Sequence, residues 1–316
     1  MIEPEGASVE PGGDTVHGAA SQTAAGSDSS LIAFFINRDC DTDRRYHIER
    51  QIEGAGITGA RVTGVNALAV PDELRNYFFD GDKLISPLNP GEVGCYASHL
   101  KALRAIVDGN LAYALVLEDD AILPADTDAI VKDILANIPV DWDVVHICGD
   151  PRRATKPIAQ LPQGRSLVRY SRIPSGAFGY LVSQSGARKL LKPTMRYWPF
   201  DTDLRCPWLF DLQVYGVAPK IVEHGGTAAS VIIAAGGRSR ARRGLPVPSR
   251  GAWTGNPLHC PEGVAFNFKT LGPTWWFRCW RKNLATRLSD MLLPKALRPP
   301  RPNRDTEPRI TIAPRD

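Results

Sequence analysis

The sequence predicts an α/β fold with a mostly parallel sheet flanked by helices. Two apolar runs, 31–36 and 111–117, carry no charge and read as strands buried on both faces rather than on one. Stretches with helical apolar spacing lie between the strand-like runs, the alternation expected of crossover units. The run at 111–117 then stops abruptly in Glu118, Asp119 and Asp120, at the strand end where open α/β sheets hold their ligands.

The elements follow in order. Residues 31–36 form the first strand, closing in Asn37, Arg38 and Asp39. A helix follows from about Asp43, with Ile48, Ile52 and Ala55 on one face and Gly56 as its stop. Arg61, Val62 and Val65 suggest a short strand, and 71–87 a helix and loop. The next helix is sharply punctuated: Asn89 caps it, Pro90 suits its first turn and Glu92 has capping-box spacing. Its core stripe is Val93, Ala97, Leu100, Leu103 and Val107, and Gly109 ends it. After the acidic strand end come a helix at 126–137, a strand at 143–147 and a polar loop at 150–174. A strand at 177–182 leads into a helix capped by Ser183 or Ser185. Short apolar pieces at 211–217 and 221–222 complete a domain spanning 31–235.

Composition brackets this domain. Residues 1–30 hold hardly any large apolar side chain and read as a disordered leader. They lack the apolar segment of a secretory signal, and no run is long and apolar enough to span a bilayer. The six cysteines are scattered with no C-x-x-C pair, which argues against a structural zinc site and suits a reducing, cytoplasmic setting. Cys95 and Cys148 read as core residues. The formal charge of +4 is modest, and no nucleic-acid-binding module accompanies it. The positive charge concentrates in the basic extension 236–316, where Trp275, Trp276, Phe277 and Trp280 interleave with Arg278, Arg281, Lys282 and Arg287. That mixture suits a segment lying in an anionic membrane interface. The alternative is a helix packing its Trp residues back on the domain.

The acidic strand end carries the chemistry. Three crowded carboxylates repel unless they share a cation, which points to a divalent metal and, with it, to a phosphorylated ligand. A receiver-type phosphoacceptor domain also groups acids around Mg²⁺. Here the acids lie too deep in the chain, and the ordered region is too long for that fold.

Several motifs, taken together, resemble glycosyltransferase family 25. They are I-N-R-D-C-D-T-D-R-R at 36–45, P-G-E-V-G-C-Y-A-S-H at 90–99, L-V-L-E-D-D at 115–120, G-A-F-G-Y-L-V-S at 176–183 and P-F-D-T-D-L at 199–204. Asn66 and Ala67 depart from the family's usual Asp-Gly. The resemblance implies a GT-A-type fold and a UDP-sugar donor, most often UDP-galactose, with Mn²⁺ or Mg²⁺ as cofactor. It implies transfer of a hexose, with inversion, to a lipid-linked saccharide or lipopolysaccharide acceptor. Such an enzyme would work in the cytoplasm, peripheral to the inner face of the membrane.

On this reading Asp120 ligates the metal, with Glu118 and His224 as further ligands. Glu118 or Asp119 takes the ribose or a metal-bound water. Asn37 and Arg44 face the nucleotide. Asp201 is the leading general base, with Asp203 and Asp211 in reserve; capping of a following helix is its structural alternative. His99 either faces the donor cleft or packs in the core. Arg238 and Arg240, after Gly236 and Gly237, form either a lid over the diphosphate or a basic linker. The rival outside enzymology is a protein that keeps this fold for sugar binding or scaffolding and has lost turnover.

Overall fold

The computed structural model describes residues 31–66, 69–225 and 260–292. The 1–30 leader, Ala67, the Arg238 and Arg240 run and the tail beyond 292 lie outside the described residues.

The first unit runs β1 (Ile32–Asn37), α1 (Thr42–Gly54) and β2 (Thr58–Thr63). Then come α2 (Asp72–Arg75), the small hairpin β3 (Phe79–Asp80) and β4 (Lys83–Leu84), and the long helix α3 (Pro90–Asp108). The acidic strand β5 (Tyr113–Glu118) leads to β6 (Ala121–Ile122), α4 (Thr127–Asn137) and β7 (Val144–His146). A hairpin of β8 (Thr155–Gln160) and β9 (Ser166–Tyr170) precedes β10 (Gly179–Ser183) and α5 (Gln184–Leu190). The domain continues with α6 (Phe200–Leu204), a 3₁₀ turn at Pro207–Leu209, β11 (Val214–Ala218) and β12 (Glu223–His224). Two further helices, α7 (Pro261–Leu271) and α8 (Pro273–Leu292), end the described chain.

Eight strands form one sheet in the order β2-β1-β5-β10-β7-β11-β9-β8. It is mixed rather than mostly parallel. The pairs β1–β2, β1–β5 and β7–β11 are parallel, and the other four are antiparallel. The reversal at β10 has a local cause. A parallel return needs a long crossover, usually helical, and between β7 and β10 the chain makes only the β8–β9 hairpin. That hairpin lies inside the stretch 150–174 that reads as a loop. Strand β8 has no buried apolar run because it is the sheet's edge, with no residue buried, and it carries Pro157; β9 buries only Leu167, Val168 and Tyr170. An edge strand tolerates a residue with no N–H.

Both faces of the sheet are covered. Ala114 and Val116 of β5 join the core under α3, α5 and α6, while Leu115 and Leu117 join the core under α1 and α4. The central strand is therefore buried on both sides, as its unbroken apolar run predicts. Helix α3 starts with the capping box its sequence spells out. Asn89 Oδ1 accepts the Glu92 N–H at 2.9 Å, and Glu92 Oε2 accepts the Asn89 N–H at 3.1 Å. Tyr96, Ala102 and Ile106 are as buried as the stripe residues, whereas Val107 is only half-buried. The helix is enclosed over a wider arc than one stripe, between the sheet, α5 and α6.

The C-terminal helices lie against the sheet edge. Asn283 Oδ1 accepts the Ala154 N–H at 2.9 Å, and its Nδ2 donates to Ser171 Oγ at 3.1 Å. Cys279 is buried on the same face, while Phe277, Trp280, Leu284 and Leu288 point outward. The extension thus docks on the domain and still presents an apolar face. Among the described residues, no helix is long and apolar enough to cross a membrane.

Candidate functional site

The parallel strands β1 and β5 end side by side, with Ile36 opposite Glu118. Asn37 and the three acids therefore meet at one sheet edge. The amide of buried Asn37 donates to Asp119 Oδ2 at 2.8 Å and to the Asp41 carbonyl at 3.0 Å, and its oxygen accepts from Arg61 Nε at 3.2 Å. Asn37 thus orients Asp119. One turn into α1, the Arg44 guanidinium pairs with Asp119 Oδ1 and lies 2.8 Å from Asp120 Oδ2.

A second segment closes the site from the C-terminal side. Strand β12 pairs with β6, His224 opposite Ala121, and the Gly225 N–H donates to the Asp120 carbonyl at 2.8 Å. The strand is Glu223–His224, one step beyond the apolar pair at 221–222. Those two residues instead tuck under the sheet edge: a Cβ on Gly179 would meet Val222 at 3.1 Å, so the missing side chain lets this segment approach β10 closely. His224 Nε2 then lies 3.4 Å from Asp120 Oδ2, its half-exposed ring edge-on to Phe178.

Helix α3 contributes from the opposite side. His99 is 1% exposed, packed in the core as one of its two sequence readings has it, with its ring turned toward the acidic strand end. Its Nδ1 lies 3.1 Å from the Tyr180 hydroxyl, its Nε2 3.6 Å from Glu118 Oε1, and its ring stacks on Phe200 at 4.1 Å. Phe200 begins α6, the helix of Asp201 and Asp203. Asp203 is buried and accepts the Tyr96 hydroxyl at 2.7 Å, while Asp201 is half-buried in the first helical turn. Pro199, not Asp201, occupies the N-cap position of α6. Asp211 is exposed, on a turn with φ 54°.

The electrostatics separate the acids. Burial pushes the Asp119 and Asp120 carboxyls up; the neighbouring Glu118 adds to the rise at Asp120, and Arg44 opposes it at both. Burial alone would also raise Glu118, but the adjacent His99, then His224 and Arg44, outweigh it and hold the group below its ordinary value.

The structure thus brings together Asn37, Arg44, His99, Glu118, Asp119, Asp120 and His224, all named as candidates from the sequence, and adds Tyr180 and Cys95. Cys95 reads as core because its neighbours in sequence are apolar. The signal for it was the i, i+4 spacing of Cys95 and His99, which puts both on one face of α3. Among the described residues, one group of three metal-ligating side chains has all its donor atoms within 4.8 Å of one another: Cys95, His99 and Glu118.

The repulsion among the acids does not by itself demand a metal, because Arg44 supplies a cation. A better indication is Asp120 Oδ1, which is buried and has no hydrogen-bond partner. An oxygen so placed is costly unless something positive occupies the space before it. Carboxylate and imidazole donors suit Mn²⁺, and carboxylate suits Mg²⁺, so the residues fit a divalent ion.

The family model for glycosyltransferase family 25 (LPS biosynthesis protein) matches residues 31–205. Procollagen galactosyltransferase 1-A of Xenopus laevis is 32% identical over 196 residues, covering 56% of this chain and 31% of that protein. Human procollagen galactosyltransferase 2 is 29% identical over 149 residues, 46% of this chain and 22% of its own length. Human inactive glycosyltransferase 25 family member 3 is 30% identical over 132 residues, 39% of this chain and 21% of its own length. The chain therefore spans less than a third of each of these relatives. A solved glycosyltransferase involved in glycosylation of the major capsid of PBCV-1 aligns with a TM-score of 0.34 and 9% identity, over 65% of this chain and 98% of that one. That likeness is too slight to inform the chemistry. The match across 31–205 includes β1, the capped α3, the acidic strand end and α6, and this chain belongs to glycosyltransferase family 25.

Proposed function

We propose that this protein is a metal-dependent glycosyltransferase with a GT-A-type domain at 31–235. It moves a hexose, galactose in the first instance, from a UDP-sugar to a lipid-linked saccharide or lipopolysaccharide acceptor. The observation that carries the reading is the unpartnered, buried Asp120 Oδ1 at the C-terminal end of a central strand, in a chain of this family.

Asp120 holds the divalent ion, with Glu118 and His224 beside it. When bound, Mn²⁺ or Mg²⁺ offsets the charge that develops on the departing diphosphate, a contribution of several kcal/mol. Arg44, near the same oxygens, offers a guanidinium to the diphosphate. Asp119, oriented by Asn37 and Arg44, faces the ribose. Asp201 removes the proton from the acceptor hydroxyl as its oxygen bonds to the anomeric carbon and UDP leaves from the opposite face, which inverts the configuration. Asp203 is the reserve base, but its bond to Tyr96 favours a positioning role.

The extension at 236–316 serves the acceptor. A lipid-linked acceptor lies at a membrane surface, and the outward face of α8 joins Phe277, Trp280, Leu284 and Leu288 to exposed Arg278, Arg281 and Lys282. Anionic lipid attracts each basic residue near the surface by about 1 kcal/mol. Cytoplasmic work on the inner face of the membrane, without nucleic acid as a partner, follows from this reading.

The deciding experiment is a screen of UDP-sugars for UDP release with Mn²⁺ and with EDTA. Release from one donor, abolished by EDTA and increased by acceptor, is expected. Binding of donor without release under any condition would instead identify a sugar-binding protein, like the inactive relative in its lack of turnover.

A further inference from the structure

Beside the carboxylate set at Asp120 lies a second group of donors with different chemistry. Cys95 and His99 stand one turn apart on α3, whose first turn the capping box fixes. Glu118 ends β5 opposite them, and all three donor atoms lie within 4.8 Å of one another. Tetrahedral zinc, with bonds of about 2.0 to 2.3 Å, needs ligand atoms about 3.3 to 3.8 Å apart. His99 Nε2 and Glu118 Oε1 already stand at 3.6 Å.

His99 gives the independent indication. Its Nε2 is buried and has no hydrogen-bond partner, while Nδ1 sits 3.1 Å from the Tyr180 hydroxyl. Without a metal, a proton on Nε2 faces Glu118 at 3.6 Å, in keeping with the lowered carboxyl there; with Nδ1 donating to the hydroxyl oxygen instead, the Nε2 lone pair is free for a metal ion seated between the two side chains. This is how a ligating histidine is held, by a partner on its far nitrogen. Phe200 stacks on the ring and keeps it from turning.

We propose that Cys95, His99 and Glu118 form a site for a thiolate-preferring divalent ion, zinc above all, adjacent to the Asp120 site and sharing Glu118 with it. Mixed sulfur, nitrogen and oxygen donors select zinc over Mg²⁺ or Mn²⁺, which favour oxygen-rich sites. Binding turns the Cys95 thiol into a thiolate and releases one proton to solvent. Because Glu118 serves both sites, zinc here withdraws a ligand from the catalytic ion and inhibits turnover. The inhibition rests on the proposed function; the binding does not.

The test uses the whole chain with Co²⁺ as a spectroscopic stand-in for zinc. A thiolate-to-cobalt charge-transfer band is expected, displaced by one equivalent of Zn²⁺, kept in Cys40→Ser and lost in Cys95→Ser. Tyr180→Phe should keep the band and weaken zinc binding about 10-fold or more. If Cys95→Ser does not fold, alkylation of the wild-type protein decides, with zinc expected to protect Cys95. No band in the wild type, a band that survives in folded Cys95→Ser, or no protection overturns the site. In UDP-release assays, zinc should inhibit the wild type. Absence of Mn²⁺-dependent release beside an intact cobalt band overturns the proposed function and leaves the zinc site standing.

Discussion

The two oxygens of Asp120 have different surroundings. Oδ2 faces Arg44 and His224, and Oδ1 faces no donor. Asp120→Asn keeps the side chain's size while removing its charge and replacing one cation-binding oxygen with an NH2 group. Mn²⁺-dependent UDP release should fall about 10²- to 10³-fold, since several kcal/mol convert at about 1.4 kcal/mol per decade. Release at the wild-type rate would remove Asp120 from the metal site. The two acids of α6 should part company. Asp201→Asn is expected to lower transfer about 10²- to 10⁴-fold with the unfolding midpoint unchanged. Tyr96→Phe, which removes one donor to buried Asp203, should cost about 1 kcal/mol of stability in urea unfolding. A stable Tyr96→Phe protein would argue against a positioning role for Asp203. A third residue links pH to folding. His146 is fully buried, and its imidazole is lowered to about 4 by desolvation, with Arg205 adding to the fall against the Gly176 hydrogen bond. Cys148 and Tyr170 pack around it. Between pH 6.5 and about 4, the unfolded chain binds a proton that the folded chain refuses. Stability therefore drops as pH falls through that window, by about 1.5 kcal/mol between pH 6.5 and 5. His146→Gln should lose correspondingly less over the same interval in denaturant titrations, and an equal loss in both proteins would reject this account.

The elements differ in how openly the sequence announces them. Helix α3 is legible because each boundary has a chemical signature, Asn89, Pro90 and Glu92 at one end and Gly109 at the other. Strand β5 is legible because burial on both faces leaves a run with no polar interruption. The β8–β9 hairpin is not, since an edge strand needs no such run, and its Pro157 and Lys156 imitate a loop. Strand polarity is also hidden: nothing in the residues of β10 states which way it runs, and the reversal follows from a connection without a helix. Within the site, the acids and Arg44 are visible as charge beside an apolar strand end. Cys95 and Tyr180 are hidden because each looks like core until α3 and β10 come together. The extension packs on the domain as the second sequence reading has it, but through Asn283 and Cys279 rather than its Trp residues, with Phe277 and Trp280 outward. Trp280→Ala with Phe277→Ala should reduce flotation on phosphatidylglycerol vesicles. Arg281→Glu with Lys282→Glu should do the same and lessen the dependence on salt. Phosphatidylcholine vesicles should bind little of any of these proteins. Equal binding by all of them would separate α8 from the membrane.

At the scale of the whole molecule, ligand binding should appear as stability. A ligand at one hundred times its dissociation constant adds about 2.7 kcal/mol to the folded state. UDP with Mn²⁺ should therefore raise the melting temperature by several degrees, and UDP with EDTA by much less. Equal shifts with and without the metal would mean that the nucleotide is held by the protein alone. The arrangement of Arg44 bears on a practical matter. Because a guanidinium from α1 already offsets part of the charge of Asp119 and Asp120, the fold should lean less on a bound ion than small domains that unravel when their zinc is stripped. The protein should survive exhaustive dialysis against chelator with its circular dichroism intact, be stored metal-free, and regain turnover on adding Mn²⁺. Its metal dependence would then be a reversible property of catalysis, open to titration from zero.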